Sequence, residues 1–138
     1  MKRFILIWVA VLIMAGCAGP GKGLMHRPPE VGGVLEGTWE HVHADSALFG
    51  QIKILNATHF VWVTYERATG AAIALGGGTY QFDGKTYVEN LEFGSDGLPL
   101  DLLGHDQVFK AEIGGDLWYH HGTLSTGFEI HEVWRRIE

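Results

Sequence analysis

The amino-acid sequence predicts an all-β protein, an antiparallel β-barrel of about eight to ten strands. From Glu36 onward, short runs rich in Val, Ile, Thr, Tyr, Phe and Trp alternate in polarity and are separated by Gly, Asn and Asp. Glycine accounts for 20 of 138 residues, which indicates many tight turns. No stretch keeps a helical apolar period, so a long helix is not expected. A closed barrel leaves no exposed sheet edge, and a two-sheet sandwich is the alternative architecture.

Turn signals divide the domain into nine candidate strands. Asp83-Gly84 predicts a tight hairpin turn, and the glycine run Gly76–Gly78 predicts a bulge or kink rather than a phosphate-binding loop. The longest irregular piece, Gly94–Gly104, contains Pro99 and four Leu and predicts a short helical turn or a lid. The candidate strands are Gly37–His43, Gln51–Leu55, His59–Glu66, Ala71–Leu75, Thr79–Asp83, Thr86–Phe93, Gln107–Ile113, Asp116–His121 and Phe128–Ile137.

The start of the chain predicts a lipoprotein signal peptide over residues 1–16. A basic beginning, Met1–Arg3, precedes an apolar run, Phe4–Met14, that is too short to span a bilayer of about 30 Å comfortably. Small residues then lead to Cys17, the chain's single cysteine, and this arrangement resembles a bacterial lipobox. The resemblance implies that Cys17 is lipidated, and Ala18 after it implies an outer-membrane destination. An ordinary signal peptide and a retained membrane anchor are the alternatives.

Composition and charge narrow the possible partners. Residues 17–35 are rich in Gly and Pro and predict a flexible linker, and residues 36–138 form the single predicted domain. The formal charge is −6, and it becomes −8 once Lys2 and Arg3 are removed with the leader. No cluster of Lys and Arg lies outside the leader, so a nucleic-acid partner is not expected. A single cysteine excludes an internal disulfide framework.

The two ends of the predicted domain resemble the calycin signature of lipocalins and fatty-acid-binding proteins. The first strand begins Gly37-Thr38-Trp39, and the last ends Val133-Trp134-Arg135-Arg136. The resemblance implies that Trp39 packs under Arg135 or Arg136 and closes one end of the barrel. Together with motifs between them, these residues resemble an uncharacterised bacterial lipocalin-like domain family from about Leu35 to Glu138. That family implies a barrel but no established ligand or reaction. The intervening motifs are Lys53-Ile54, Thr58–Trp62, Gly77–Tyr80, Tyr87–Glu89, Asp116–Tyr119 and Gly122–Leu124.

A barrel of about eight strands can enclose side chains or one small ligand. Residues two apart on a strand share a face, but several strands here are apolar on both faces, which leaves the inner face open. We predict an interior cavity with aromatic walls and a few polar groups, the usual composition of a ligand site. The predicted ligand-binding residues are Trp62, Tyr80, Tyr87, Glu89, Trp118, His120 and Glu132.

The glutamate pair and the histidines of the predicted barrel each have both a chemical and a structural interpretation. Glu89 and Glu132 could act as general acid and base, but the favoured interpretation is that each is satisfied by a salt bridge or a hydrogen bond. Histidines on several strands could bind zinc or haem, but the favoured interpretation is polar rim or interior side chains. We therefore predict no catalytic residue, no metal site and no cofactor. The histidines are His41, His43, His120, His121 and His131.

Three functions remain open. The leading hypothesis is a lipid-anchored protein of the cell envelope, on the outer membrane, that binds a small apolar or amphipathic molecule in its barrel. Its partners would then be that molecule and the membrane. The alternative is a structural or interaction module of an envelope complex with a filled barrel. The third hypothesis is an isomerase, hydratase or hydrolase that uses Glu89, Glu132 and a histidine.

Overall fold

Eight antiparallel strands close into a barrel. The computed structural model describes residues 33–42 and 47–138. Each strand pairs with its neighbours in sequence, and the eighth pairs with the first. This order confirms the predicted lipocalin-like barrel and differs from a sandwich. The strands are β1 (Gly37–His41), β2 (Phe49–Leu55), β3 (His59–Glu66), β4 (Ala72–Phe82), β5 (Thr86–Gly94), β6 (Asp106–Gly114), β7 (Leu117–Thr123) and β8 (Glu129–Arg136).

The predicted signal peptide, Cys17 and the linker up to residue 32 lie outside the described residues, as does His43. The boundaries predicted for these segments therefore stay predictions. Among the described residues, no helix is both long and apolar enough to cross a membrane.

One break between strands was predicted where the structure has none. The candidate strands Ala71–Leu75 and Thr79–Asp83 form a single strand, β4, because the glycine run Gly76–Gly78 continues the pairing instead of ending it. The register with β5 shifts inside this run, so the predicted bulge is present. A Cβ on Gly78 would collide with the carbonyl oxygen of Asn90, and only glycine permits that approach.

Because consecutive strands run in opposite directions, the loops alternate between two ends of the barrel. We call the end with the β2–β3, β4–β5 and β6–β7 hairpins the floor; the chain also enters β1 and leaves β8 there. We call the opposite end the mouth. The β5–β6 connection at the mouth contains the 3₁₀ turn Leu100–Leu102, so the helical turn expected there is present. The Gly104 N–H donates to the Leu91 carbonyl at 2.8 Å and ties this connection to the barrel.

Aromatic side chains fill the floor half of the barrel. Trp39, Tyr87, Trp118 and Trp134 are all buried. The Trp118 ring contacts Trp39 and Tyr87 edge to face, with centroid distances of 5.5 and 4.9 Å. The Trp39 Nε1–H donates to the carbonyl oxygen of Leu35 at 2.8 Å, so its polar atom is satisfied. Edge-to-face pairs stabilise a core beyond the apolar area that they bury.

The two adjacent arginines at the end of β8 have different surroundings. The Arg136 guanidinium lies 4.1 Å from the Trp39 ring centroid and donates to the carbonyl oxygens of Glu36, at 2.5 Å, and Val34. Arg135 points outward and donates to a Glu40 carboxylate oxygen at 2.9 Å. Because successive residues of a strand face opposite sides, only Arg136 can cover Trp39.

Candidate functional site

Lys53 lies inside the barrel, although its two sequence neighbours are isoleucines. The side chain of Lys53 is 3% exposed, whereas that of Ile54 is 49% exposed. Lys53 pairs with Trp39 on β1 and with Trp62 on β3, and both tryptophans point inward. A one-residue slip of β2 would turn Lys53 outward but would also expose Leu55. The burial of the neighbouring strands therefore determines the face of β2, against the hydrophobicity of β2 itself.

Lys53 and Glu89 form a buried ion pair in the middle of the barrel. The Lys53 Nζ lies 2.6 Å from Glu89 Oε1, and the Tyr87 hydroxyl donates to the same oxygen at 2.8 Å. Burial, and then the negative charge of Glu89, raise the pKa of Tyr87 well above its ordinary value, so the phenol keeps the proton that it donates. A charge pair taken out of water is tolerated only with such additional partners.

Four aromatic rings surround the Lys53 ammonium group. Their centroids lie 4.9 to 5.7 Å from Nζ. Each ring face attracts a cation, and the attraction is strongest where water is excluded. The cation therefore has a negative partner on one side and aromatic faces around it. These rings belong to Phe60, Tyr87, Trp118 and Trp134.

On β7, His120 is the next inward-facing residue after Trp118 in the direction of the mouth. It is 2% exposed and stacks on Trp118, with ring centroids 5.1 Å apart and an interplanar angle of 5°. Its Nδ1 lies 3.5 Å from Glu132 Oε2, an approach without hydrogen-bond geometry, and the Trp134 Nε1–H donates to that same oxygen at 3.0 Å. Within the described part of the chain, neither ring nitrogen of His120 has a hydrogen-bond partner.

Burial lowers the pKa of His120 well below its ordinary value, and the nearby positive charge of Lys53 lowers it further. The imidazole is therefore neutral at physiological pH. A neutral imidazole offers one N–H donor and one nitrogen acceptor. An unpartnered pair of such groups in a buried position is costly, which makes His120 a candidate for binding a polar group.

A cavity of about 120 Å³ lies between this polar layer and the mouth. Leu102 of the 3₁₀ turn and Leu124 of the β7–β8 connection belong to its apolar wall. The side-chain amide of Gln107 also faces the cavity, but it is held by Ser125 through hydrogen bonds of 2.8 and 3.0 Å. The lining residues are Gln51, Lys53, Trp62, Glu89, Leu91, Leu102, Gln107, Phe109, His120, Leu124, Ile130, Glu132 and Trp134.

The structure brings four of the seven predicted ligand-binding residues to this cavity: Trp62, Glu89, His120 and Glu132. Tyr87 and Trp118 lie in the aromatic layer next to Lys53. Tyr80 lies at the floor, where its hydroxyl donates to the Asn56 carbonyl at 2.6 Å. Burial, and then the charge of Glu36, raise the pKa of Tyr80 to about 12.

Lys53, Gln107 and Leu102 were not predicted from the sequence to lie at this site. Lys53 and Gln107 are polar residues on short strands, where exposure is the usual outcome. Leu102 belongs to the leucine-rich segment Gly94–Gly104, but the direction of its side chain depends on the 3₁₀ turn. The salt bridge of Glu89 comes from Lys53, and its hydrogen bond comes from the Tyr87 hydroxyl.

The other predicted histidines do not converge on His120. The His41 ring lies 4.9 Å from that of Trp134, and His121 stacks on His131 across β7 and β8 with centroids 6.0 Å apart. In the part of the chain that the structure describes, no group of three or more His, Cys, Asp or Glu side chains is placed to hold a metal ion.

No protein-family model matches the chain, and no curated protein or solved structure matches it significantly. The lipocalin-like family assignment thus stays a prediction from the quoted motifs. The barrel itself rests on strand order and closure.

Proposed function

We propose that the barrel binds a small, neutral ring compound that carries one hydrogen-bonding group. The observation that supports this proposal is the cavity next to His120, whose two buried ring nitrogens have no partner within the described residues. Apolar side chains on one side and a few fixed polar groups on the other are the usual composition of a small-molecule site.

The volume limits the size of the ligand. The cavity measures about 120 Å³. An apolar cavity of about 150 Å³ in another protein binds benzene, and sites for drug-sized ligands reach about 300 Å³ or more. A single ring with a short substituent is therefore the expected size, and a long acyl chain exceeds the available space.

The charged side chains at the cavity favour a neutral ligand that carries a hydrogen-bond donor. The charges of Lys53 and Glu89 compensate each other, and His120 is neutral. Glu132, beside His120, accepts a hydrogen bond from Trp134 and has further lone pairs. A hydroxyl or ring N–H could donate to His120 or Glu132, whereas a carboxylate would meet the negative charge of Glu132. A phenol is the simplest molecule of this class.

Calorimetric titration with phenol and with anisole tests this proposal. Anisole carries a methyl group in place of the phenol proton, so the comparison isolates the donor. We expect phenol to bind about tenfold more tightly, which corresponds to about 1.4 kcal/mol for one hydrogen bond. In a His120→Phe variant, which keeps a ring of similar size, the preference for phenol should shrink. Leu124→Trp should fill the cavity and abolish binding of both probes.

The absence of binding by both probes would contradict this proposal. If neither probe binds to the wild-type chain, the cavity is not a site for this class of ligand. Native mass spectrometry of the purified chain, compared with the denatured chain, would then show whether another molecule is retained. A mass excess that disappears on denaturation would identify a ligand of a different class and replace the phenol-type proposal.

One observation favours the second candidate function, an interaction module without a ligand. The floor half of the barrel is already filled by Trp39, Tyr87, Trp118 and Trp134, so the fold does not require a bound molecule for its core. A catalytic role for Glu89 has less support, because its carboxylate is engaged by Lys53 and Tyr87.

We also propose that the protein is anchored to the outer membrane through lipidated Cys17. The basic start, the apolar run Phe4–Met14 and the small residues before Cys17 support this proposal. Metabolic labelling with an alkyne analogue of palmitate should mark the wild-type chain and leave a Cys17→Ser variant unmarked. Labelling of both proteins alike would contradict the assignment of the lipidation site.

A further inference from the structure

The mouth of the barrel carries exposed apolar side chains on separate loops. Leu48, Leu100 and Phe128 are 69%, 81% and 66% exposed, the highest values among the large apolar side chains that the structure describes. They lie on the β1–β2, β5–β6 and β7–β8 connections. Single exposed apolar residues are common on protein surfaces, but three at one end of a domain indicate an interaction site.

The floor differs in its hairpins. Its hairpin tips are Asn56–Thr58, Asp83–Lys85 and Gly115-Asp116, which are polar or small. Both ends consist of loops between the same strands, so the contrast does not follow from the barrel architecture. Exposed apolar residues also occur near the floor, at Val34, Ile54 and Ile137, but each is less exposed than the three at the mouth.

Hydrogen bonds hold the mouth loops in place. The Ser125 hydroxyl donates to the Asp101 carbonyl at 3.1 Å, which joins the loops of Phe128 and Leu100. The Arg67 N–H donates to the Leu48 carbonyl at 2.8 Å and joins the β3–β4 loop to the β1–β2 connection. The 3₁₀ turn that exposes Leu100 also buries Leu102 against the cavity, so one short turn faces both the cavity and the surroundings.

We propose that the mouth docks on a zwitterionic lipid surface, with Leu48, Leu100 and Phe128 inserted among the lipids. Apolar side chains on separate loops around an opening suit a fluid interface, which adapts to each of them, better than a rigid partner. At the boundary between headgroups and acyl chains, binding strength increases with the apolar area that is buried. This inference requires neither a ligand in the cavity nor a lipid on Cys17.

The charges at the mouth argue against two other occupants. Arg67 is the one arginine in the described part of the mouth, where five acidic residues lie on or beside the loops: Glu66, Asp96, Asp101, Asp106 and Glu129. In a mouth-to-mouth pair of two copies, these groups would face their own counterparts, and like charges across an interface cost affinity. They would also be repelled by anionic lipids. A zwitterionic surface avoids both penalties.

Nitroxide labels on the full chain test the orientation directly. In a Cys17→Ser background, which leaves each introduced cysteine unique, one label is placed at Leu48→Cys, Leu100→Cys or Phe128→Cys. A control label is placed at Lys85→Cys on a floor hairpin. With phosphatidylcholine vesicles, the mouth labels should lose collisions with a water-soluble nickel complex and gain collisions with oxygen, and the floor label should keep its aqueous values.

A pair of matched double variants distinguishes insertion of the mouth residues from nonspecific adsorption of the chain to vesicles. With the label at Leu48→Cys, the double change Leu100→Ser and Phe128→Ser should abolish the protection from nickel. The control double change, Ile54→Ser and Ile137→Ser, replaces two exposed apolar residues away from the mouth and should keep it.

Three outcomes would overturn the proposal. Mouth labels that stay aqueous would show that the mouth does not enter lipid. Equal protection of the floor label would show contact without orientation, for example through the apolar run Phe4–Met14. Spin–spin broadening between mouth labels without vesicles would assign the surface to a second copy. None of these results depends on whether the cavity binds phenol.

Discussion

Removing the positive charge of Lys53 tests the interior ion pair most directly. Lys53→Met keeps an unbranched side chain in the ring of aromatic residues but leaves the Glu89 carboxylate buried without its cation. Breaking a buried pair in this way typically costs about 3–5 kcal/mol, because the remaining charge is uncompensated. Whole domains are stabilised by about 5–15 kcal/mol, so the loss is a large share of the total.

A second substitution separates the cost of the orphaned charge from the cost of lost packing. Adding Glu89→Leu to Lys53→Met removes both charges and should recover most of the stability, since apolar replacement of a buried pair is often neutral or favourable. The Tyr87 hydroxyl then loses its acceptor, which costs about 1–3 kcal/mol. Adding Tyr87→Phe to the double variant should recover the stability lost with that hydrogen bond.

Urea denaturation followed by circular dichroism measures the free energy of unfolding of each variant. Lys110→Met, on an exposed position of β6, is the matched control and should change stability by no more than about 0.5 kcal/mol. If Lys53→Met costs no more than this control, Lys53 reaches water and the buried pair is wrong. If the double variant is no more stable than Lys53→Met alone, the orphaned charge is not the cause of the loss.

Three further predictions concern the floor and the polar layer. Trp39→Ala should lower the free energy of unfolding by about 3–5 kcal/mol, as loss of a large buried aromatic does, and an unchanged melting temperature would undercut its role at the floor. Arg136→Ala should cost about 1–2 kcal/mol through the lost contact with the Trp39 ring, whereas exposed Arg135→Ala should cost less than about 1 kcal/mol; equal losses in denaturation would contradict the distinction. Because the pKa of His120 is lowered in the folded state, the unfolded chain binds the extra proton, and stability should fall as the pH drops below about 6.5. Unfolding measured from pH 8 to 5 should show less of this fall in His120→Phe, and an identical slope would exclude His120 as its source.

The fold class was predictable from local patterns. Short alternating runs and frequent turn signals predicted an antiparallel barrel, and the structure confirms it with eight strands. The glycine run Gly76–Gly78 was correctly predicted as a bulge, but its effect on strand count was not, because a bulge can interrupt the register of a strand without ending it.

The site was only partly predictable. Local sequence located polar and aromatic residues on strands, and Trp62, Glu89, His120 and Glu132 do line the cavity. It did not show that Lys53 is the partner of Glu89, since these residues are 36 positions apart in the chain and meet only across the closed barrel. Cavity volume likewise depends on how Leu102 and its neighbours pack, which no local pattern contains.

The calycin resemblance implied that the two ends of the domain meet near Trp39. The sequence by itself determined the barrel class and the expectation of a lipid anchor at Cys17. These depend on residue type and on short spacings. The tertiary structure alone decided which face of β2 is buried, that Arg136 rather than Arg135 covers Trp39, and that the three most exposed apolar side chains lie at the mouth. The physical reason is that alternation assigns residues to two faces but does not say which face is inside. The packing of the neighbouring strands decides which face is buried, because their combined burial outweighs the preference of any single residue for water or for the core.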